Sequence, residues 1–491
     1  MKKIAKLSLV AAVAVAGLTT ANAQQLEDAI KKVEVSGSVV YRYNDYNSDT
    51  NYATEGSDAQ TGTGGAKNGT SSGTTGTNAT QNNNYKVGLN VAAPVNDFVK
   101  LNTRFLVSSG TGDFASLETS DNGDSNVDVE LSNVYFGYTG IKNTTVNVGK
   151  QGLTTPWTVA TQVDGNEQTG TGALALTTVD NVTLAAGYFN QTNLGESGHG
   201  LPGILNAKKP TQTGTVGDYN DDVAAWNSTN STNANQIGAS DIATVGTVVA
   251  AGPVTLDAWY LDMQETFNSY TLGAKASTEL AGITFGADAR YTSLQLDRNV
   301  AERLAGFGSS YDSISATRNE SNIHDDNSLA KLALTAKAGI LSGKAVYGKT
   351  GKEGGLTALD FDASTTLLGW SATTNGKADA DFYQLVAAVD ILPELNLSAN
   401  YVNVDYTVSD VVTKNANGDV TGSTVKSAEE EEIYAQLTYK MSKNLTSYIR
   451  YGVYSKDTSD HVQNTQNANH GDSRADNIDD TRGRIQVAYT F

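Results

Sequence analysis

The feature that most constrains this chain is a set of short segments in which apolar and polar side chains alternate. A period of two places successive side chains on opposite faces of a strand, so each segment predicts a strand with one apolar face. The last segment alternates Ile485, Val487, Tyr489 and Phe491 with Arg484, Gln486, Ala488 and Thr490. We count about eighteen such strands of roughly ten residues each. They are 33–45, 85–91, 99–107, 129–139, 144–151, 172–179, 181–190, 241–250, 253–262, 268–277, 282–292, 328–338, 342–350, 380–390, 394–406, 431–441, 444–455 and 484–491.

The connections between these strands alternate between short and long. Short ones include 140–143, 251–252 and 441–443, whereas long ones include 46–84, 191–240, 293–327, 351–379, 407–430 and 456–482. A soluble β-sandwich has no reason to gather every long loop at one end, but outer-membrane barrels combine short periplasmic turns with long external loops. We therefore predict an all-β fold, a transmembrane antiparallel β-barrel of about eighteen strands with short periplasmic turns and long extracellular loops.

The first 23 residues have the pattern of a targeting segment. Three lysines precede an apolar run over 7–18 that is too short to span a bilayer, and 21–23 form an A-x-A cleavage signal. We predict a signal peptide over 1–23 and a single barrel domain over 24–491 in the outer membrane. A barrel of this width encloses water unless something plugs it, and no plug domain precedes the first predicted strand, so we expect an open lumen.

The charge balance excludes some partners. Without the three signal lysines the chain has 31 basic and 53 acidic residues, a formal net charge of −22. Such a balance repels nucleic acid and favours cations. An acidic run over 429–432 lies at the end of a predicted long loop, and we interpret it as solvated charge. The chain has no cysteine and therefore no disulfide or thiol chemistry.

Three groups of residues resemble the Campylobacter-type major outer membrane porins. They are 6–12 with 26–31, 35–37 and 41–43; then 149–151 with Leu153, Thr155, 157–158, 163–165 and 170–172; and finally Arg484, Gln486, Tyr489 and Phe491. This family comprises trimeric, eighteen-stranded, cation-preferring general diffusion porins with a calcium ion near the constriction. The resemblance thus implies a homotrimer, cation preference and calcium as a possible ligand.

The connection over 152–171 is the candidate constriction loop. It follows the fifth predicted strand, where trimeric porins fold their third external loop into the lumen, and its glycines allow tight bends. Asp164 and Glu167 supply negative charge. The resemblance makes Asp164 the candidate calcium ligand, although Val159 stands where the family has another acid. The alternative is an ordinary surface loop with two solvated acids.

Basic residues on the predicted inward faces are candidates for the opposite wall of the constriction. They are Arg42, Lys86, Arg104, Arg290, Arg450 and Arg484, with Lys100 and Lys275 as further members. A wet lumen tolerates such groups, whereas each would cost about 2–4 kcal/mol at the lipid midplane. Arg42, Lys86 and Arg104 come from the first three strands and should be neighbours. We expect narrowing by charge rather than by a hydrophobic plug.

The chain end and the surroundings imply further partners. The terminal Phe491 resembles the residue that the barrel-assembly machinery reads in outer-membrane barrels. Outer-membrane lipid and lipopolysaccharide should surround the barrel, and small hydrophilic solutes and ions should pass through it. We predict no nucleic-acid partner and no required cofactor.

We interpret the chain as a general diffusion porin for small hydrophilic solutes, with a preference for cations. One alternative is a substrate-specific eighteen-stranded channel, although the inward aromatics Trp259, Phe189 and Tyr448 are too sparse for a sugar track. Another is a surface adhesin that displays long loops on a barrel anchor. We predict no enzyme, because the four histidines lie in predicted long loops and no G-x-S-x-G, P-loop or H-E-x-x-H motif occurs.

Overall fold

The computed structural model of the protein describes residues 32–52, 76–108, 114–117, 128–194, 241–297, 317–321, 325–414, 420–464 and 471–491. The predicted signal peptide, 1–23, lies outside these residues. The described part of the chain is built from strands joined by turns and loops. It holds no helix that is both long enough and apolar enough to cross a membrane.

Twenty strands follow one another along the chain. They are β1 (Glu34–Tyr52), β2 (Gly76–Pro94), β3 (Val99–Ser108), β4 (Ala115–Ser116), β5 (Asp128–Ile141), β6 (Thr144–Gly152), β7 (Thr169–Val179), β8 (Val182–Thr192), β9 (Ile242–Ala251), β10 (Val254–Met263), β11 (Phe267–Leu280), β12 (Ile283–Leu296), β13 (Thr317–Ser321), β14 (Asp326–Ala338), β15 (Leu341–Thr350), β16 (Ala378–Leu392), β17 (Leu395–Lys414), β18 (Val420–Ser442), β19 (Leu445–Asn464) and β20 (Gly471–Thr490).

Eighteen of these strands form a closed antiparallel barrel. Each pairs with the next along the chain, and β1 pairs with β20 from Ser38 opposite Thr490 to Tyr52 opposite Asp476. The short β4 pairs with β2 beyond the end of β3, and β13 pairs with β17. Closure leaves no sheet edge, which satisfies the requirement that backbone groups in lipid be paired within the protein.

All eighteen predicted strands are confirmed, but several extend further than predicted. Residues 407–414 and 420–430, predicted as loop, belong to β17 and β18, and residues 456–464 and 471–482 belong to β19 and β20. In sequence these segments are rich in Thr, Ser, Asp and Glu and lack the sustained apolar alternation that marks the membrane-spanning part. Pairing with neighbouring strands continues the ladder there.

The two faces of the barrel differ in polarity as predicted. Large apolar side chains on alternate positions are exposed on the outer face, among them Leu184, Leu272, Leu334, Leu385 and Tyr451. In the terminal strand, Ile485, Tyr489 and Phe491 are exposed outward, whereas Gln486 is buried inward. The outer face is therefore suited to lipid.

The lumen is filled further than the prediction of a single inward loop implies. Two clusters of buried apolar side chains lie inside the barrel. The first comprises Leu153, Trp157, Leu174, Phe189, Leu194, Ile242, Leu261, Met263, Phe267, Leu294, Leu296, Leu356 and Leu359. The second comprises Val346, Ala372, Ala380, Phe382, Val402, Val404, Tyr406 and Ala428. Both form because connecting loops cover apolar residues on the inward faces of β7–β12 and β15–β18.

The terminal Phe491 takes part in barrel closure. Its N–H donates to the carbonyl of Gly37 at 3.0 Å, and the Gly37 N–H donates back at 2.9 Å. The Phe491 ring stacks on Tyr489 with centroids 5.8 Å apart. A Cβ at Gly37 would lie 2.8 Å from the Phe491 ring, so the glycine leaves room for it.

Deleting Phe491 should lower the yield of folded barrel, because it removes two closing hydrogen bonds and the stacked ring. The measurement is the fraction of protein that migrates as the compact, heat-modifiable form in unheated electrophoresis. Phe491→Tyr keeps both interactions and is the matched control. Full yield from the deletion would contradict a closing role for this residue.

Candidate functional site

Two loops fold into the lumen. The first lumen loop, residues 153–168, joins β6 to β7, and the second lumen loop, residues 351–377, joins β15 to β16. The inward course of the first was predicted from its position in the chain. The second was predicted as part of the long connection 351–379, but its inward course was not predicted. Its Gly, Thr, Ser and Asp residues are typical of an exposed loop, but the apolar residues Leu356, Leu359, Leu367, Leu368 and Trp370 among them were a signal for burial.

A buried ion-pair cluster holds the first lumen loop to β2 and β3. The carboxylate of Glu167 accepts hydrogen bonds from Lys86 Nζ at 3.1 Å and from Arg104 at 2.7 and 2.5 Å. Glu167 is 1% exposed, Lys86 0% and Arg104 4%. Lys86 also donates to the carbonyls of Gln162, at 2.9 Å, and Gly165. Because a buried charge without a partner is costly, these side chains are stable here only together.

Asp164 lies beside this cluster and is partly exposed. Arg42 Nη2 donates to the backbone carbonyl of Asp164 at 2.8 Å and lies 3.5 Å from its carboxylate. Gln486 Nε2 donates to the same carboxylate at 3.0 Å. The Asp164 side chain remains 40% exposed. Asp164 therefore remains accessible to solvent, whereas Glu167, predicted as its companion, anchors the loop from a buried position.

The first lumen loop crosses the barrel. Trp157 is fully buried, and its Nε1 donates to Ser269 Oγ of β11 at 2.8 Å. At its other end the loop contacts Lys86 of β2, and seven barrel strands separate β2 from β11. The loop is thus attached to nearly opposite walls.

The two lumen loops are bonded to each other. Gln162 Nε2 donates to Asp362 Oδ2 at 2.8 Å, and Asn166 Nδ2 donates to Asp360 Oδ2 at 2.9 Å. The Leu359 N–H donates a hydrogen bond to the Trp157 carbonyl at 2.9 Å, and Gln168 Nε2 donates one to the Leu359 carbonyl at 2.6 Å. They form one structure inside the barrel.

Glu432 of β18 holds the tip of the second lumen loop. Its carboxylate accepts the N–H groups of Trp370, Ser371 and Ala372 at 2.7, 2.6 and 3.0 Å. Glu432 is 1% exposed, and Arg482 lies 3.7 Å away. Three donors converging on one buried carboxylate make this contact the main polar attachment of the tip.

The interpretation of residues 429–432 as solvated loop charge is therefore wrong. They lie within β18, where the period of two sends Glu430 and Glu432 inward and Glu429 and Glu431 outward. Glu430 accepts from Lys377 Nζ of the second lumen loop at 2.5 Å. Burial lowers the pKa of Lys377, and the Glu430 carboxylate opposes part of that fall. The run itself was visible in the sequence, but its partners, more than 50 residues away, were not.

Arg450 and Arg484 form a basic patch on the wall beside Asp164. They lie directly opposite each other on β19 and β20, with both side chains inward. The Trp370 ring of the second lumen loop lies 5.0 Å from the Arg450 guanidinium and 5.6 Å from that of Arg484. Tyr434 and Tyr448 also face Arg450 at 5.1 and 5.3 Å. The lumen thus holds more aromatic side chains than predicted, because Trp370 belongs to a loop that folds into it.

Seven of the eight predicted constriction residues gather around the two lumen loops. Arg290 of β12 does not, because it pairs with Asp257 of β10 at 2.8 and 2.9 Å. Lys331 lies opposite Arg290 in register and donates to Thr366 O at 2.9 Å. Of the two further candidates, Lys100 pairs with Glu34 and Lys275 with Asp288.

The residues around Asp164 do not fit a calcium ion. Calcium takes six to eight oxygen ligands, whereas the side chains of Arg42 and Gln486 offer hydrogen-bond donors to this carboxylate. Among the described residues, Asp325, Asp326 and Glu353 are the group whose carboxylate oxygens lie within 4.8 Å of one another. This group is partly exposed and lies at the base of the second lumen loop, away from Asp164.

Comparisons with known proteins agree with this architecture. A family profile described as Campylobacter major outer membrane protein matches residues 1–480. The structure is similar to OpdL of Pseudomonas aeruginosa, with a TM-score of 0.55, 14% identity, and 93% of this chain and 99% of that chain covered. OpdK of the same organism, solved with vanillate, is similar with a TM-score of 0.55 and 12% identity, and the match covers 93% of this chain and 99% of that chain. OccAB3 of Acinetobacter baumannii has a TM-score of 0.52 and 12% identity, and the match covers 93% of this chain and 100% of that chain. No curated protein matches the sequence.

Replacing Glu167 with Gln should destabilise the first lumen loop, because Lys86 and Arg104 would remain buried without a counter-charge. Removing one partner of a buried ion pair costs roughly 3–5 kcal/mol. Thermal unfolding of the detergent-solubilised barrel measures the loss. Glu34→Gln, which breaks the exposed pair with Lys100, is the control and should have little effect. Equal stability of both variants would contradict the anchoring role.

Replacing Glu432 with Gln should release the tip of the second lumen loop, because the amide offers one acceptor oxygen in place of two. Since the chain has no cysteine, Ala372→Cys provides a single label site that is fully buried in this structure. Its maleimide labelling should accelerate in the Glu432→Gln background. Glu431→Gln changes the neighbouring, outward-facing residue and should leave the labelling rate unchanged. Equally slow labelling in the Glu432→Gln and Glu431→Gln backgrounds would contradict the attachment of the loop tip by Glu432.

Proposed function

Because this chain belongs to the Campylobacter major outer membrane protein family, we propose that it is a general diffusion porin of the outer membrane, with a preference for cations. Small hydrophilic solutes would cross through the passage that the two lumen loops leave beside β1, β19 and β20. The proposed channel requires no cofactor. In the membrane it would be a homotrimer, as the family resemblance implies, surrounded by lipid and lipopolysaccharide after insertion by the barrel-assembly machinery.

The observation that carries this proposal is the partly exposed, charged surface around Asp164. The Asp164 side chain is 40% exposed, and the guanidinium groups of Arg42, Arg450 and Arg484 are arranged along the neighbouring strands. Charged side chains inside a barrel are tolerated where water reaches them. Acid on a loop and base on the facing wall create a transverse field, which orders water and favours polar solutes over apolar ones.

The cation preference rests on charge at two ranges. The formal net charge of −22 without the signal lysines concentrates cations near the mouth of the channel. Asp164 adds a negative charge within the passage, although Arg450 and Arg484 oppose it locally. Because salt screens the long-range part, the preference should be strongest at low ionic strength.

A substrate-specific channel is the second candidate. The feature that favours it is the second lumen loop, which places Trp370 against the basic patch. Two inward loops would leave a narrower passage than one constriction loop. OpdK, a structural neighbour solved with vanillate, makes small carboxylates reasonable first probes for this chain. A surface adhesin on a barrel anchor is the third reading.

Planar-bilayer recording of the purified, unheated protein separates these readings. A diffusion porin should give large, steady conductance steps that scale with KCl concentration. A substrate-specific channel should give small KCl steps, and an adhesin anchor should give none. Boiled protein is the control for contaminating channels.

Asp164→Asn should reduce the cation preference, because it removes the exposed negative charge in the passage. The reversal potential under a KCl gradient gives the K⁺/Cl⁻ permeability ratio. This ratio should be lower by roughly a factor of two at 0.1 M, where the Debye length is about 10 Å. Asp97→Asn, in an exposed turn between β2 and β3, removes one charge outside the lumen and is the control. An unchanged ratio in Asp164→Asn, or an anion-preferring wild type, would contradict the charge argument.

A further inference from the structure

We propose that Arg450 and Arg484, together with Trp370, form a binding subsite for small organic carboxylates inside the channel. The inference rests on the proposed channel function and adds to it a ligand class and a place in the lumen. Two like charges directly opposite each other on neighbouring strands repel, yet Arg450 and Arg484 occupy this arrangement with both side chains inward.

Several other basic side chains of the lumen are neutralised by a carboxylate. Arg42 lies 3.5 Å from Asp164, Arg104 pairs with Glu167, and Arg290 pairs with Asp257. Arg482, two residues before Arg484 on the same strand, pairs with Asp480 at 2.6 Å. The basic patch differs, because neither of its arginines forms an ion pair with any carboxylate among the described residues.

Neutral groups position the two guanidinium groups without neutralising them. Arg450 Nε donates to Gln436 Oε1 at 2.8 Å. Arg484 Nε donates to Asn44 Oδ1 at 2.7 Å, and its Nη2 donates to the Tyr46 hydroxyl at 2.7 Å. Both residues are partly exposed, so both terminal nitrogens of Arg450 and Nη1 of Arg484 remain to donate to a ligand. A binding group with these donors must accept hydrogen bonds and carry negative charge.

Aromatic rings restrict the orientation of Arg450. Its guanidinium lies about equally far from the Trp370, Tyr434 and Tyr448 rings, at 5.0, 5.1 and 5.3 Å. Contacts of this kind hold a cation by the quadrupole of each ring and reduce the freedom of the side chain. A guanidinium held in this way has less freedom to lose when it binds, so more of the interaction energy appears as affinity.

A planar carboxylate fits this donor set better than other anions. The parallel N–H groups at the end of a guanidinium match the two oxygens of a carboxylate in a bidentate pair. The face of Trp370 beside both arginines adds apolar contact for an organic ligand body, which chloride lacks. Asp164, which pairs with Arg42, lies on the first lumen loop, and Asp480, which pairs with Arg482, lies on β20 with Arg484. Both carboxylates would repel a multiply charged anion. The subsite therefore favours small monocarboxylates.

Single-channel recording in potassium benzoate tests the subsite. In wild type the benzoate current should saturate with concentration, because the ligand occupies a site during passage. Arg450→Gln should raise the half-saturating concentration by roughly tenfold or more, the loss expected for charge-assisted hydrogen bonds. Lys344→Gln, which removes one other inward cation that donates to Gln384, should leave it unchanged.

The outcomes separate the subsite from the channel. If KCl steps are present but the benzoate current rises linearly, or if both variants shift equally, the subsite is wrong and the channel stands. If no variant gives KCl steps, the proposed function itself fails.

Equilibrium binding provides a second measurement that does not depend on conductance. Benzoate should change the tryptophan fluorescence of the folded barrel, and Trp370→Phe should abolish that change. If Arg450→Gln does not fold, Arg450→Lys keeps the charge but loses the bidentate fork, so it should still weaken binding. Unchanged affinity in a folded Arg450→Lys barrel, or no binding to wild type, would overturn the proposal.

Discussion

The hydrogen-bonded pairing of β1 with β20 is the constraint on which the rest of the structure depends. It joins the first and last strands into a ring, so that no strand edge is exposed to lipid in the part of the barrel that the structure describes. Closure with eighteen strands also sets the width of the ring, which wall side chains alone cannot fill. The interior must then hold water, loops or both. This chain uses both, because the first and second lumen loops occupy part of the space and leave charged residues along the rest.

Two kinds of interaction keep the loops inside, and they have different roles. The apolar cluster around Trp157 and Phe267 provides burial, which is strong but not directional. Glu167 and Glu432 provide position, because each carboxylate accepts from specific donors on a different element. Burial of these carboxylates makes them sensitive points, since a change in either leaves unpaired cations or N–H groups in a dry environment.

Much of the candidate site could be predicted, but the role of each residue could not. Inward positions for Lys86, Arg104, Arg450 and Arg484 followed from strand alternation, and the inward course of the first lumen loop followed from its place in the chain. Alternation does not show whether an inward side chain meets water or a loop. Lys86 and Arg104 are buried against Glu167, whereas Arg450 and Arg484 are partly exposed beside Trp370. The outcome depends on a partner that lies far away along the chain.

The sequence by itself determined the number of strands, the faces of each and the antiparallel order, because a period of two is encoded within every strand. Only the tertiary structure decided which long connections turn inward and what they meet. The contact between Gln162 and Asp362 joins residues 200 positions apart, and that between Trp370 and Glu432 joins residues 62 apart. Such contacts leave no local pattern, since the same polar side chains in a loop can bind water or one another. Closure of the barrel brings the loops together and decides between the two.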